Sequence, residues 1–248
     1  MEAPNSIKTI LYDLDGTLRL NQPSGHRFFV DHAISLGLGL APEDQRRCGV
    51  WEHSYWAESA DLLRDRAIHP TPEAFWTNYA RLQLEALGCN AEEARSRAAE
   101  MRAYMNDCYH PQDELAPGTL TVLEQLRAAG FVLGVVSNRE APFADYLTAL
   151  GLGGYVAFSL SGAEAGSKKP DKGIFEHALR LAGSCAAETI YVGDNYFADV
   201  VGARGAGIIP VLFDPDGLFL EPDCAVIRTH DALPGLLDGR DSWPGNGK

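Results

Sequence analysis

No apolar run in the sequence approaches the ~20 residues needed to span a bilayer, so no membrane-spanning helix is expected. The N-terminus lacks a basic stretch followed by an apolar one, and no signal peptide is read there. Cysteine is sparse and odd in number. Cys48, Cys89, Cys108, Cys185 and Cys224 form no C-x-x-C pair, which argues against a disulfide framework or a zinc site. They read as small apolar side chains in a reducing compartment. Together these absences predict a cytoplasmic protein. Positive charge is also in deficit: 21 Lys and Arg face 34 Asp and Glu, for a formal charge of −13. Such a surface repels nucleic-acid backbone and anionic membrane, so neither is expected as a partner. It would also repel an anionic substrate, unless a local positive group or bound cation reversed the field.

What is present is a chain of 248 residues, 46% hydrophobic, enough for a main domain with a smaller companion. Short apolar runs over Thr9–Leu14, Phe131–Val136, Tyr155–Leu160, Thr189–Val192 and Gly207–Phe213 read as buried strands bounded by Gly, Asp, Ser or Pro. Helix-period segments lie between them. Phe143, Tyr146, Leu147 and Leu150 share one face, as do Ile174, Ala178 and Leu181. The alternation predicts an α/β fold, a Rossmann-like parallel sheet with helices on both faces.

From about residue 20 to 115 only helix signals appear. Thr71-Pro72-Glu73 opens a helix that Gly88 stops, and Asn90 with Glu93 resembles a capping box for the next, with Ala94, Ala98, Met101 and Met105 as its apolar face. An inserted all-α domain over 20–115 is therefore expected. The α/β domain comprises 1–19 and 116–240, and a polar, Gly-rich flexible tail covers 241–248.

Four short motifs carry the chemistry. Asp13 and Asp15, in Tyr12-Asp13-Leu14-Asp15-Gly16-Thr17-Leu18, close an apolar strand, and alternation allows both to face one side. Read alone, this run is equally an ordinary turn. Ser137 and Asn138 end another strand; Ser137 alone would read as a helix cap, or as a hydroxyl for a phosphate oxygen. Lys169 stands before Pro170-Asp171, where a turn and a helix start. Asp194 and Asp199 follow a fourth strand. Ligands of parallel sheets bind at the carboxyl ends of strands, and Mg²⁺ takes carboxylates such as Asp13 and Asp194.

These motifs, in this order and each at a strand end, strongly resemble the haloacid dehalogenase-like hydrolase superfamily. The resemblance covers the α/β parts and fades inside the insertion. It implies that Asp13 is a nucleophile and Asp15 a general acid/base whose backbone carbonyl also binds Mg²⁺. It further implies that Ser137 and Asn138 hold the transferring phosphoryl group and that Lys169 stabilises charge on nucleophile and phosphate. Asp194 completes the metal site, Asp199 supports Lys169 or a metal-bound water, and Thr17 supports the site. The insertion would be a cap over the active site, with hinges near Gly16–Leu18, Ser24–Gly25 and Pro111–Gly118.

The expected reaction is Mg²⁺-dependent hydrolysis of a small phosphorylated metabolite through an aspartyl-phosphate, by a monomer or homodimer. Asp15 argues against dehalogenation, because a halide leaves without a proton. Phosphonate hydrolysis in the family needs a cap lysine, and lysine is absent between Lys8 and Lys168. A sugar-phosphate mutase, for which His26 is the candidate cap histidine, and a non-catalytic scaffold remain as alternatives. Arg46, Arg47, Arg64, Arg66 and Arg102 are candidate anion contacts. Trp51, Tyr55, Trp56, Phe75, Trp76 and Tyr79 are read chiefly as cap core. Arg19-Leu20-Asn21-Gln22-Pro23 departs from the family's usual Asp-containing run, which weakens any transfer of substrate from phosphoglycolate phosphatase.

Overall fold

The computed structural model describes residues 6–238, and the tail expected over 241–248 lies outside them. The chain divides into two compact units. One runs up to Leu20 and resumes at Leu115; the other is Asn21–Glu114. In chain order the elements are β1 (Thr9–Tyr12), β2 (Arg19–Gln22), α1 (Gly25–Ser35), α2 (Pro42–Trp56), α3 (Ala60–Ile68), α4 (Pro72–Ala86), α5 (Ala91–Cys108) and β3 (Gln112–Leu115). There follow α6 (Thr119–Ala128), β4 (Val132–Ser137), α7 (Ala144–Ala149), β5 (Phe158–Ser161), α8 (Gly162–Ala165), α9 (Lys172–Ala182) and β6 (Thr189–Gly193). A π-turn (Tyr196–Val200), α10 (Val201–Gly205), β7 (Ile209–Phe213), β8 (Ala225–Ile227) and α11 (Ala232–Asp238) complete it.

The first unit is an α/β Rossmann-like fold. Its six strands are all parallel, in the order β5-β4-β1-β6-β7-β8. Alternate residues supply the two faces. Ile10, Tyr12, Leu133, Val135, Ile190 and Val192 pack with Val122, Leu126, Leu147 and Leu233 of α6, α7 and α11. Leu11, Val136, Leu160 and Tyr191 pack with Ile174, Phe175 and Ala178 of α9 and Ala203 of α10. Strand order reverses about β1: β4 and β5 lie on one side, β6 to β8 on the other. That reversal opens a crevice at the carboxyl ends of β1, β4 and β6, the usual ligand position in such sheets.

In the second unit five helices enclose their own core of Phe29, Val30, Ala33, Cys48, Leu84, Leu87, Ala94 and Met101. The helix starts follow the sequence. Thr71 accepts from the Ala74 N–H with Pro72 in the first turn, and Asn90 accepts from the N–H groups of Glu92 and Glu93. Gly88, at φ +103°, ends the α4 turn. The two aromatic groups merge: Tyr55 and Tyr79 are buried, with Trp51, Trp56 and Phe75 packed on them.

Four sequence readings need correction. β2 and β3, which pair with each other, fall where only helices were expected; their sequences RLNQ and QDEL carry no apolar alternation to signal a strand. β8 was also missed, being three residues long. Residues 155–157 precede β5 rather than form it. On α9 the third core residue is Phe175, fully buried, whereas Leu181 is 49% exposed. The helix closes at Gly183, so Leu181 lies in its last turn. Phe175→Ala should therefore cost about 3–5 kcal/mol and Leu181→Ala under about 1 kcal/mol, read from urea midpoints. Equal losses would contradict this packing.

Candidate active site

Lys169 lies between α8 and α9, after a stretch held by Asn138. The Asn138 amide donates to the Lys169 carbonyl at 2.9 Å, and its Oδ1 accepts the Lys169 N–H at 2.7 Å. This reciprocal pair ties the end of β4 to the Lys169 loop, whose Lys169–Pro170 bond is cis. The Asn138 side chain, expected on phosphate, is thus occupied chiefly in placing Lys169. Asp171 caps α9 by accepting from the Gly173 N–H. The lysine side chain is then aimed inward. Its Nζ donates to Asp13 Oδ1 at 2.6 Å and to Asp199 Oδ1 at 2.7 Å, and lies 5.5 Å from the Tyr191 ring centroid. All three charged groups are buried, at 3%, 6% and 1% exposure for Lys169, Asp13 and Asp199.

Each partner is fixed in turn. The Asp13 N–H donates to the Val192 carbonyl, which extends the β1–β6 pairing by one residue. Asp199 receives the Asn195 N–H on Oδ2 at 2.9 Å, at the start of the π-turn. Gly193 is required there, since a Cβ at that position would lie 2.3 Å from Asp199 Oδ2. Asp194 is bound to the loop after β1: Thr17 Oγ1 donates to its Oδ1 at 3.0 Å and accepts its backbone N–H at 3.0 Å. Gly16, at φ +96°, brings that loop against the same carboxylate; a Cβ there would sit 2.4 Å from Asp194 Oδ2. His230, fully buried and stacked on Phe213, supports the loop from beneath. Its Nε2 lies 3.0 Å from the Thr17 carbonyl, and because a carbonyl only accepts, that nitrogen carries the proton.

Asp15 departs from the strand-alternation argument. Pairing of β1 ends at Tyr12, so Asp15 sits in the following turn. Its carboxylate receives a two-pronged contact from Arg139, Nε to Oδ2 at 2.9 Å and Nη2 to Oδ1 at 2.8 Å. Arg19 Nη1 adds a third at 3.2 Å, and Ser137 Oγ is 3.4 Å away. The Arg139 guanidinium lies over the Tyr146 ring at 4.3 Å. Neither arginine was singled out in the sequence. Arg139 stands two residues beyond Ser137, and that position was the available signal. The structure thus brings Asp13, Lys169, Asp194, Asp199 and Thr17 together, with Ser137 and Asp15 at their edge.

Residues 7–207 match the family model described as a haloacid dehalogenase-like hydrolase. The chain belongs to that family. It is 29% identical over 205 residues to the human haloacid dehalogenase-like hydrolase domain-containing protein 3, covering 82% of this chain and 80% of the relative. It is 26% identical to a phosphoglycolate phosphatase of Yersinia pseudotuberculosis, over 93% and 94% of the two chains. A crystal structure of a 2-haloacid dehalogenase from Pseudomonas syringae superposes with a TM-score of 0.53 at 28% identity, covering 95% of this chain and all of that one.

In this member of the family, carboxylate oxygens of Asp13, Asp194 and Asp199 all lie within 4.8 Å of one another. Only oxygen donors converge there, and one ammonium faces three acids. That donor set fits a hard divalent cation. Asp199, held by Lys169 and Asn195, is the least available, so Asp13 and Asp194 are the carboxylates that could hold one.

The charges are strongly perturbed. Burial alone would pull the Lys169 ammonium down; Asp13 and Asp199 overcome it and hold the group well above the ordinary lysine range. Burial pushes the Asp13 carboxyl well up, with Lys169 opposing and Asp199, Asp194 and Asp15 adding to the rise. Asp194 is pushed up to about 7, first by burial and then by Asp199. In the metal-free protein the folded state therefore keeps a proton on Asp194 that the unfolded chain has lost. The Asp194 contribution is fully present below pH 3.8 and is lost as pH rises through about 7. Compared with Asp194→Asn in chelator, the parent protein should lose melting temperature steadily across that window. A difference that stays flat with pH would contradict the shift.

The second unit's candidate anion contacts are already paired with acids. Arg46 meets Glu43, Arg47 Asp44, Arg64 Asp61, Arg66 Glu58 and Arg102 Glu73. His26, the candidate mutase histidine, is paired to Glu52 at 3.0 Å. Among the described residues no helix is long and apolar enough to cross a membrane.

Proposed function

We propose that this hydrolase is a Mg²⁺-dependent phosphatase that cleaves a small phosphomonoester through an aspartyl-phosphate on Asp13. The observation that carries the reading is Lys169 Nζ at 2.6 Å from Asp13 Oδ1, with Asp199 buried beside it and the half-buried Asp194 and Asp15 nearby. A carboxylate is a weak nucleophile and is repelled by an anionic phosphate. Lys169, held charged by Asp199, offsets that repulsion on the nucleophile and on the phosphoryl oxygens. Bound Mg²⁺, held by Asp13, Asp194 and the Asp15 backbone carbonyl, would supply further neutralisation of phosphate charge.

In the first step an Asp13 oxygen bonds to phosphorus, the ester P–O bond breaks, and Asp15 gives its proton to the departing alkoxide. In the second, Asp15 takes a proton from water, the water oxygen bonds to phosphorus, and Asp13 is released with inorganic phosphate. Ser137, at the end of β4, would donate to a phosphoryl oxygen. In the arrangement described, Arg139 occupies both Asp15 oxygens, so the guanidinium must release at least one for Asp15 to carry a proton. The acid at position 15 favours phosphate-ester cleavage over dehalogenation. The phosphatase name of the Yersinia relative supports the same reading. The inserted helical unit is proposed as the cap that selects the substrate.

Phosphate release from a panel of small phosphomonoesters, with and without Mg²⁺, tests the proposal. Release should require the metal and be strongest for one compound class; a folded, metal-loaded protein inert toward every ester contradicts it. Asp13→Asn should lower kcat by at least about 10⁴-fold with the fold intact. Asp15→Ala should slow alkyl phosphates by about 10²–10⁴-fold and p-nitrophenyl phosphate far less, because nitrophenolate leaves without a proton. Equal losses for both ester types would count against the acid role.

A further inference from the structure

Inside the helical unit a second group of metal-ligating side chains converges. His26, in the first turn of α1, places Nδ1 3.0 Å from Glu52 Oε2. Cys48 and Glu52 lie one turn apart on the same face of α2, and the Cys48 thiol donates to Glu52 Oε1 at 3.7 Å. One ligand atom from each of the three lies within 4.8 Å of the others. Gln83 of α4 donates to Glu52 Oε1 at 2.6 Å and so fixes the carboxylate. Cys48 is fully buried and Glu52 nearly so, at 13% side-chain exposure.

We propose that His26, Cys48 and Glu52 form a binding site for a borderline-soft divalent cation of the Zn²⁺ type. Three features carry the assignment. Nitrogen, sulfur and oxygen donors from one imidazole, one thiol and one carboxylate make a mixed set that suits Zn²⁺ and not Mg²⁺. The donors are also close enough to share one ion: a ligand atom of each residue lies within 4.8 Å of the others, with His26 Nδ1 3.0 Å from one Glu52 oxygen and the Cys48 sulfur 3.7 Å from the other. The charge also closes. A neutral imidazole, a carboxylate and a thiolate carry two negative charges, which one divalent cation cancels in a largely buried place. Binding breaks the Cys48 S–H bond, forms a metal–sulfur bond and releases that proton to solvent. Without the ion, burial first and the Glu52 carboxylate second keep the thiol well above its ordinary range, so Cys48 is protonated and unreactive. The Gln83 contact is the hydrogen bond that orients a ligating carboxylate. With three protein ligands, a water completes the fourth position. The three residues come from two helices, and no local spacing in the sequence joins them.

The site can be tested on the full chain stripped with chelator and titrated with Co²⁺. One equivalent should give a thiolate-to-cobalt charge-transfer band in the near ultraviolet, and Zn²⁺ should abolish it. Cys48→Ser should lose the band, and His26→Ala, a change at a partly exposed position, should weaken Co²⁺ binding at least about tenfold. Asp194→Asn should retain the band, which separates this site from the carboxylate cluster in the α/β unit. No thiolate band in the parent protein overturns the proposal whatever the variants do. So does a band that persists in folded Cys48→Ser, which would assign it to another cysteine. Either result leaves the phosphatase reading standing.

Discussion

A buried ammonium between two buried carboxylates is the constraint around which the α/β unit is arranged. Asp13 and Asp199 hold the Lys169 ammonium charged in that position, and Lys169 in turn opposes the rise that burial imposes on the Asp13 carboxyl. Removing one partner from such a group costs about 3–5 kcal/mol, because it leaves a charge without compensation. Much of the surrounding structure serves to hold the three in register. The β1–β6 pairing delivers Asp13, the Asn138 pair delivers Lys169, and Gly193 with the π-turn delivers Asp199. One positive charge does not neutralise the acids that gather there. The remaining negative charge makes the place receptive to a cation and, once a cation is bound, to a phosphate.

The parallel sheet makes this arrangement possible. β1 is central, and its carboxyl end has the ends of β4 and β6 on either side. Residues more than a hundred positions apart therefore meet without long reach. Gly16 and Thr17 close the loop after β1 directly onto Asp194, and His230 supports that loop from a different part of the chain. Chemistry and fold share these contacts, which is why perturbed carboxylates occur beside well-packed strands.

Much of this was legible in the sequence because it is local. The run TILY ahead of Asp13 has no polar interruption and can only be a buried strand, and IYVG ahead of Asp194 reads likewise. Thr71 and Asn90 announce helix starts through bonds that span two or three residues. What was not legible depends on distant partners or on polar strands. Arg139 meets an acid 124 positions away, and its place two residues beyond Ser137 is the one local sign that separates it from a surface arginine. Phe175 and Leu181 are both apolar on α9, and only the packing of the helix on the sheet decides which is buried. β2 and β3 have no hydrophobic face and are strands because they pair with each other. His26, Cys48 and Glu52 became a group only when α1 and α2 were packed together.

The most direct test of the central claim is to trap the covalent intermediate. The protein is mixed with a turned-over phosphomonoester and Mg²⁺, quenched in acid within a turnover, digested and read by mass spectrometry. One phosphoryl group is expected on the peptide containing Asp13, stable in acid and lost on treatment with hydroxylamine, as an acyl phosphate must be. It should be absent from Asp13→Asn. Phosphate release with no label on that peptide under conditions where turnover is rapid, or a label that survives hydroxylamine, would contradict Asp13 as the nucleophile.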